Sequence, residues 1–74
     1  MNPKILIIGA CGQIGTELTH SLRDIYGTEN VIASDIRKLN TDVVNSGPFE
    51  VINALDFNQI EHIVEQHQIT DVYL

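Results

Sequence analysis

Seventy-four residues with a net charge of -6 provide for one small domain and leave no room for a second. Only four Lys and Arg are present, too few to neutralise a nucleic-acid backbone, so no nucleic-acid partner is expected and the acidity serves solubility. With 43% hydrophobic residues and no apolar run long enough to span a bilayer, the composition is that of an ordinary soluble globular protein without a membrane role.

Residues 4–8 form an unbroken β-branched and leucine run, the pattern of a strand buried on both faces of a parallel sheet. Met1-Asn2-Pro3-Lys4 leads straight into it, without space for a signal or transit segment, and a cytoplasmic chain is expected. A helix follows, on which Ile14, Leu18, Leu22 and Ile25 recur at three- and four-residue spacing as a buried stripe, with Glu17, Arg23 and Asp24 on polar positions. Tyr26-Gly27 supplies the stop, Gly27 as a left-handed cap. Residues 31–35 read as a second strand, and two strands flanking one helix make a right-handed βαβ unit.

Residues 36–47 are irregular and rich in Asn, Asp, Ser and Thr, a loop with a short turn around Val43-Val44. Gly47-Pro48 turns into a third strand over residues 49–53. Asp56 then caps a second helix, with Gln59 completing a capping box and Ile60, Ile63 and Val64 as the buried stripe beside His67. Residues 70–74 open a fourth strand in which the sequence stops. A domain seldom ends partway along a central parallel strand, so residues 1–74 are expected to be the N-terminal part of something larger.

The chemistry lies at the strand ends. Gly9-Ala10-Cys11-Gly12-Gln13-Ile14-Gly15 leaves the first strand and enters the helix, and Asp35 ends the second strand twenty positions after Gly15. A dinucleotide site needs these parts in this order: the chain turns out of a buried strand, brings its backbone against a pyrophosphate, and packs the following helix closely on the sheet. The pyrophosphate sits over the free N–H groups of the first helical turn. A tight turn alone would ask for Gly9 and Gly15, but for neither Gly12 nor Asp35. Cys11 is read as a small residue tolerated at a non-glycine position, and a single cysteine cannot form an internal disulfide.

A carboxylate at Asp35 can accept both ribose hydroxyls of an adenosine and repels a 2'-phosphate, which favours NAD over NADP; Arg37, two residues on, is the competing feature, since an arginine there accommodates that phosphate. Asn53 reaches the same carboxyl edge, where its amide either meets the adenine edge, with Ala54 and Leu55 as apolar lining, or serves its own turn. His20, His62 and His67 read as solvated helix surface, with no metal site expected. No nucleophile with an adjoining base is visible, so the segment holds a cofactor and carries no catalytic residue.

Residues 7–15 (Ile-Ile-Gly-Ala-Cys-Gly-Gln-Ile-Gly), residues 30–37 (Asn-Val-Ile-Ala-Ser-Asp-Ile-Arg) and Leu55-Asp56-Phe57 ahead of a helix resemble the start of an extended short-chain dehydrogenase/reductase, a superfamily of NAD-dependent epimerases, dehydratases and dehydrogenases. The Gly-x-x-Gly-Gln-Ile-Gly form and the Ala-Ser-Asp-Ile-Arg segment are most similar to its dehydrogenase branch. The resemblance covers essentially the whole chain. It implies the N-terminal half of a doubly wound α/β Rossmann fold, with strand order 3-2-1-4 and two main helices.

It further implies that Gly9, Gly12 and Gly15 form the cofactor loop, that Gln13 and Ile14 cover the pyrophosphate, and that Asp35, followed by Ile36 and Arg37, holds the ribose. Many relatives carry an acid where Asn53 stands, and an amide oxygen takes its place here. A small-molecule substrate and a homodimeric parent oxidoreductase follow from the same likeness. The catalytic Ser or Thr and the Tyr-x-x-x-Lys pair would lie beyond position 74, and neither Tyr26 nor Tyr73 has a lysine four residues on.

Overall fold

A computed structural model describes residues 3–74. The elements run β1 (Ile5–Ile8), α1 (Gln13–Tyr26), a 3-10 turn (Thr28–Asn30), β2 (Val31–Asp35), α2 (Asp42–Asn45), β3 (Phe49–Val51), α3 (Phe57–His67) and β4 (Asp71–Tyr73). The strands form one sheet in the order β3-β2-β1-β4, every neighbouring pair parallel. Ile8 lies level with Ser34, and Asp35 level with Val51, so β1, β2 and β3 end on one carboxyl edge. The predicted α/β half with order 3-2-1-4 is what the chain forms, with α2 as a third, one-turn helix in the expected loop.

Alternation along the central strands divides the core between the two faces of the sheet. Ile5 and Ile7 of β1 and Val31 and Ala33 of β2 pack with Leu22 of α1 and Val43 of α2. Leu6 and Ile32 point the other way, against Ile52 and Ile63, with Ile60 and Val64 of α3 partly buried beside them. The predicted stripe of α3 is therefore the packed one. Thr41 caps α2, its Oγ1 accepting from the Val44 N–H at 3.4 Å, and Val43 and Val44 are both buried; the weak turn signal at these two valines marked a real anchor.

Several local expectations are corrected. Ile14 and Ile25 are 82% and 69% exposed, so only the middle of the predicted α1 stripe is packed. Arg23, expected on the polar face, is buried. Strands of three to five residues cover just part of the length of a 14-residue helix running along them, and the guanidinium finds backbone oxygens beneath it. Gly27 does take a positive φ, 97°, but its ψ of 139° lies outside the left-handed helical region, because the chain turns at once into the 3-10 turn.

The capping box at α3 forms by half. Asp56 accepts from the Gln59 N–H at 3.1 Å, whereas the Gln59 side chain reaches past the cap to the Asn53 N–H (3.1 Å) and the Val51 carbonyl (2.8 Å). β3 accordingly stops at Val51, two residues short of the prediction. Among the described residues no helix is long and apolar enough to cross a membrane.

Candidate cofactor site

The loop after β1 is fixed by the neighbouring strand. The Ser34 carbonyl accepts from both the Gly9 N–H (2.9 Å) and the Ala10 N–H (2.8 Å), and the buried Ser34 hydroxyl donates to the Ile7 carbonyl at 2.7 Å. Sequence reasoning passed over Ser34; the one signal for it was a small polar residue inside an apolar strand. The Thr16 hydroxyl donates to the Ala10 carbonyl at 3.1 Å, and the fully buried Thr19 hydroxyl donates to the Gly15 carbonyl at 2.7 Å, tying the loop to the first turns of α1.

The three glycines differ in what the protein demands of them. Gly9 adopts φ +86°, a conformation in which a Cβ is strained. At Gly15 a Cβ would collide with the Gly9 carbonyl oxygen and stand 2.9 Å from Ala10 Cα, so the helix could not cross the loop this closely. Gly12 differs from both. Its φ of -74° and ψ of 170° suit any residue, and a Cβ there would meet only the Gly9 carbonyl oxygen, at an ordinary 3.6 Å. Nothing in the protein itself asks for glycine at position 12. As the N-cap residue Gly12 has no side chain to accept a bond, so the N–H groups of Gln13, Ile14 and Gly15 at the start of α1 have no cap within the loop.

Gly9, Gly12, Gln13, Ile14 and Gly15 line one side of a cleft of about 540 Å³, completed by Ile7, Ile8, Leu18 and Leu74. Asp35 stands next to this loop. Its Oδ2 accepts from the Cys11 N–H at 2.9 Å and its Oδ1 from the Ile36 N–H at 2.7 Å, which holds the carboxylate at the mouth of the glycine loop. Ile36 and Arg37 follow it into solvent.

Asn53, Ala54 and Leu55 form an exposed turn beyond β3, brought beside β2 by the bond from the Ile52 N–H to the Asp35 carbonyl at 2.9 Å. Asn53 Oδ1 accepts from the Leu55 N–H at 2.9 Å, the role of a turn asparagine. The structure thus gathers the glycine loop and Asp35 directly, and places residues 53–55 on the same edge without a hydrogen bond to either.

The histidines divide. His20 and His62 are exposed, but His67 corrects the solvated reading: it is half-buried, and its Nε2 lies 2.9 Å from Glu50 Oε2 across α3 and β3. Among the described residues no cluster of three or more His, Cys, Asp or Glu could hold a metal.

A strand, a tight glycine loop crossed closely by a helix, and an acid at the end of the next strand are the arrangement of the N-terminal part of a Rossmann-like fold. Known proteins share this half. Uncharacterized epimerase/dehydratases of Staphylococcus aureus are 47% identical to the chain over 66 residues, which is 88% of the chain and 21% of the relative. L-threonine dehydrogenase of Clostridium difficile superposes with a TM-score of 0.91 at 43% identity, over 96% of this chain and 23% of that one.

The holo form of a GalE-like L-threonine dehydrogenase from Cupriavidus necator gives 0.87 at 47% identity, over 97% and 23% of the two chains. The resemblance drawn from the glycine loop and the Ala-Ser-Asp-Ile-Arg segment is borne out. No family model matches the chain. The chain spans about a fifth of the length of these relatives.

Proposed function

We propose that residues 1–74 are the N-terminal, NAD-binding part of a short-chain dehydrogenase/reductase, in which Gly9, Gly12, Gln13, Ile14 and Gly15 receive the pyrophosphate. Gly12 carries this reading. Its conformation and surroundings would admit a side chain, so the missing Cβ is explained by the close approach of a ligand over the uncapped N–H groups of α1. The carboxylate of Asp35 is already oriented by two backbone N–H groups, and it accepts from the adenosine ribose hydroxyls while repelling a 2'-phosphate. The exposed turn of Asn53, Ala54 and Leu55, together with Ile36 and Arg37 just past the end of β2, receives the adenine end.

The reaction we assign to the parent protein is oxidation of L-threonine at its hydroxyl-bearing carbon, giving 2-amino-3-oxobutanoate and NADH. The solved threonine dehydrogenases that share this half support it. NAD supplies the hydride acceptor; residues 1–74 bind and orient its adenosine end, and the acid-base residues lie in the part beyond position 74. A cytoplasmic, homodimeric parent is part of the same proposal. A nucleotide-sugar epimerase or dehydratase built on the same half is the second reading, favoured by the names of the Staphylococcus relatives.

L-threonine-dependent NADH formation by the longer protein is the deciding assay. No turnover of threonine, together with turnover of a UDP- or dTDP-sugar, would replace the first reading with the second. Titration of the 74-residue chain with NAD and AMP tests the binding claim by itself, and it fails if neither binds.

A further inference from the structure

Arg23 is 6% exposed, and burial lowers its pKa. Its guanidinium meets only neutral oxygens: Nε donates to the Val31 carbonyl at 3.2 Å, Nη1 to the Val43 carbonyl at 2.9 Å and to Ser46 Oγ at 3.4 Å, and Nη2 to the Pro48 carbonyl at 2.8 Å. A cation buried without a carboxylate is a costly way to fill space. The planar fork, however, can bind several carbonyls of fixed direction at once, which no apolar side chain can do.

Those acceptors belong to three separate pieces: the first residue of β2, the α2 turn with Ser46, and the entry to β3. Residues 36–48 form the strap between β2 and β3, and Val43 and Val44 are its only deeply buried apolar anchors. Gly47 shows how closely the strap lies on the guanidinium, since a Cβ there would stand 2.7 Å from Arg23 Cζ. The strap begins at Ile36, whose N–H holds Asp35 Oδ1. Its exposed first part is fastened to α2 by the bond from Asn45 Nδ2 to Asn40 Oδ1 at 2.8 Å.

We propose that Arg23 is a positioning residue for the cofactor site: by pinning α2 and the entry to β3 it fixes the course of residues 36–41, which follow directly on Asp35, without touching the ligand. This rests on the NAD-binding reading above. The test compares Arg23→Lys and Arg23→Met in the full chain by amide hydrogen exchange and by titration with NAD and AMP. Methionine fills the space with no donors, and lysine restores a charge that reaches fewer of the acceptors; should Arg23→Met fail to fold, Arg23→Lys carries the comparison.

Exchange across residues 42–48 is expected to quicken, more for Met than for Lys, while the amides of β1 and α1 keep their protection. NAD and AMP affinities should fall together, by about tenfold where the strap holds its binding position only about a tenth of the time. Unchanged exchange in the strap overturns the proposal. A loosened strap with unaltered affinity overturns it too and leaves Arg23 a purely structural residue. If the unsubstituted chain binds neither nucleotide, the NAD-binding reading falls and takes the positioning role with it, whereas a loss confined to the Arg23 variants leaves that reading intact.

Discussion

Substituting alanine for Gly12 and for Gly15 in turn separates what the fold needs from what the ligand needs. At Gly15 the new Cβ meets backbone on two sides, the Gly9 carbonyl oxygen and Ala10 Cα at 2.9 Å, and neither can move without dragging β1 or the loop. Overpacking of this kind costs about 3 kcal/mol. At Gly12 the Cβ meets one atom at 3.6 Å in an ordinary backbone conformation. The loss of a favourable N-cap glycine, about 0.5 to 1 kcal/mol, is offset by a similar gain from restricting the unfolded chain. Gly12→Ala should therefore unfold in urea within about 0.5 kcal/mol of the original, and Gly15→Ala far earlier.

Binding should show the reverse contrast for the variant that folds. A methyl group at position 12 occupies the space over the first turn of α1, and holding a phosphate oxygen away from that turn forfeits at least one charge-assisted hydrogen bond and weakens a second. That loss is about 2 to 4 kcal/mol, or roughly 30-fold or more in the dissociation constant for NAD by calorimetric titration. Undiminished NAD affinity in Gly12→Ala would refute the assignment of position 12 to the ligand. Equal destabilisation of the two variants would refute the division of labour among the glycines.

Asp35→Asn should weaken NAD about tenfold, the scale of one hydrogen bond to a charged group, and narrow the gap between NAD and NADP; an unchanged ratio of the two affinities would remove Asp35 from the ribose site. Ser34→Ala deletes the buried donor to the Ile7 carbonyl and should cost about 1 to 2 kcal/mol in urea unfolding, with a cost near zero showing that the carbonyl finds another partner. Glu50→Gln should cost only about 0.2 to 1 kcal/mol where the imidazole is protonated, because the side chains of His67 and Glu50 stay 28% and 33% exposed, and added salt should shrink that cost; a salt-independent loss would mean that packing rather than charge joins α3 to β3.

What the sequence made legible followed from short-range pattern. The apolar runs at residues 5–8 and 31–35, the glycine spacing, and the Asp56 cap each act within a few residues, whereas the strand order came from the family resemblance, because alternation of strands and helices alone is compatible with other orders. Arg23 shows where such reading ends. It falls on a polar position of the α1 pattern, and its burial depends on carbonyls 8, 20 and 25 residues away, which no local periodicity encodes. Ile14 and Ile25 fail the other way: helical spacing marks them as one stripe with Leu18 and Leu22, but a stripe is buried only as far as the sheet beneath it extends. Gln59 was placed in the right motif with the wrong partner, because the chain leaving β3 offers its side chain a donor and an acceptor together.

The glycine loop and the acid of β2 were legible as two motifs at a fixed spacing, but not as one unit. The bond from the Cys11 N–H to Asp35 Oδ2 joins them, and the Ser34 carbonyl, one residue earlier on the same strand, holds Gly9 and Ala10. Two adjacent residues at the end of β2 thus set both the course of the glycine loop and the direction of the Asp35 carboxylate. A carboxylate held from both sides has little rotamer freedom left to lose when a ligand arrives, which lowers the entropic cost of binding. It also ties the two halves of the proposed site together: a substitution that shifts the loop changes the direction of the Asp35 carboxylate. Gly15→Ala should accordingly disturb the discrimination between NAD and NADP as well as stability, although position 15 lies on the proposed pyrophosphate side of the loop. Affinities measured for both nucleotides in the folded fraction of that variant should fall closer together than in the original chain, and an unaltered preference would mean that loop and acid act independently.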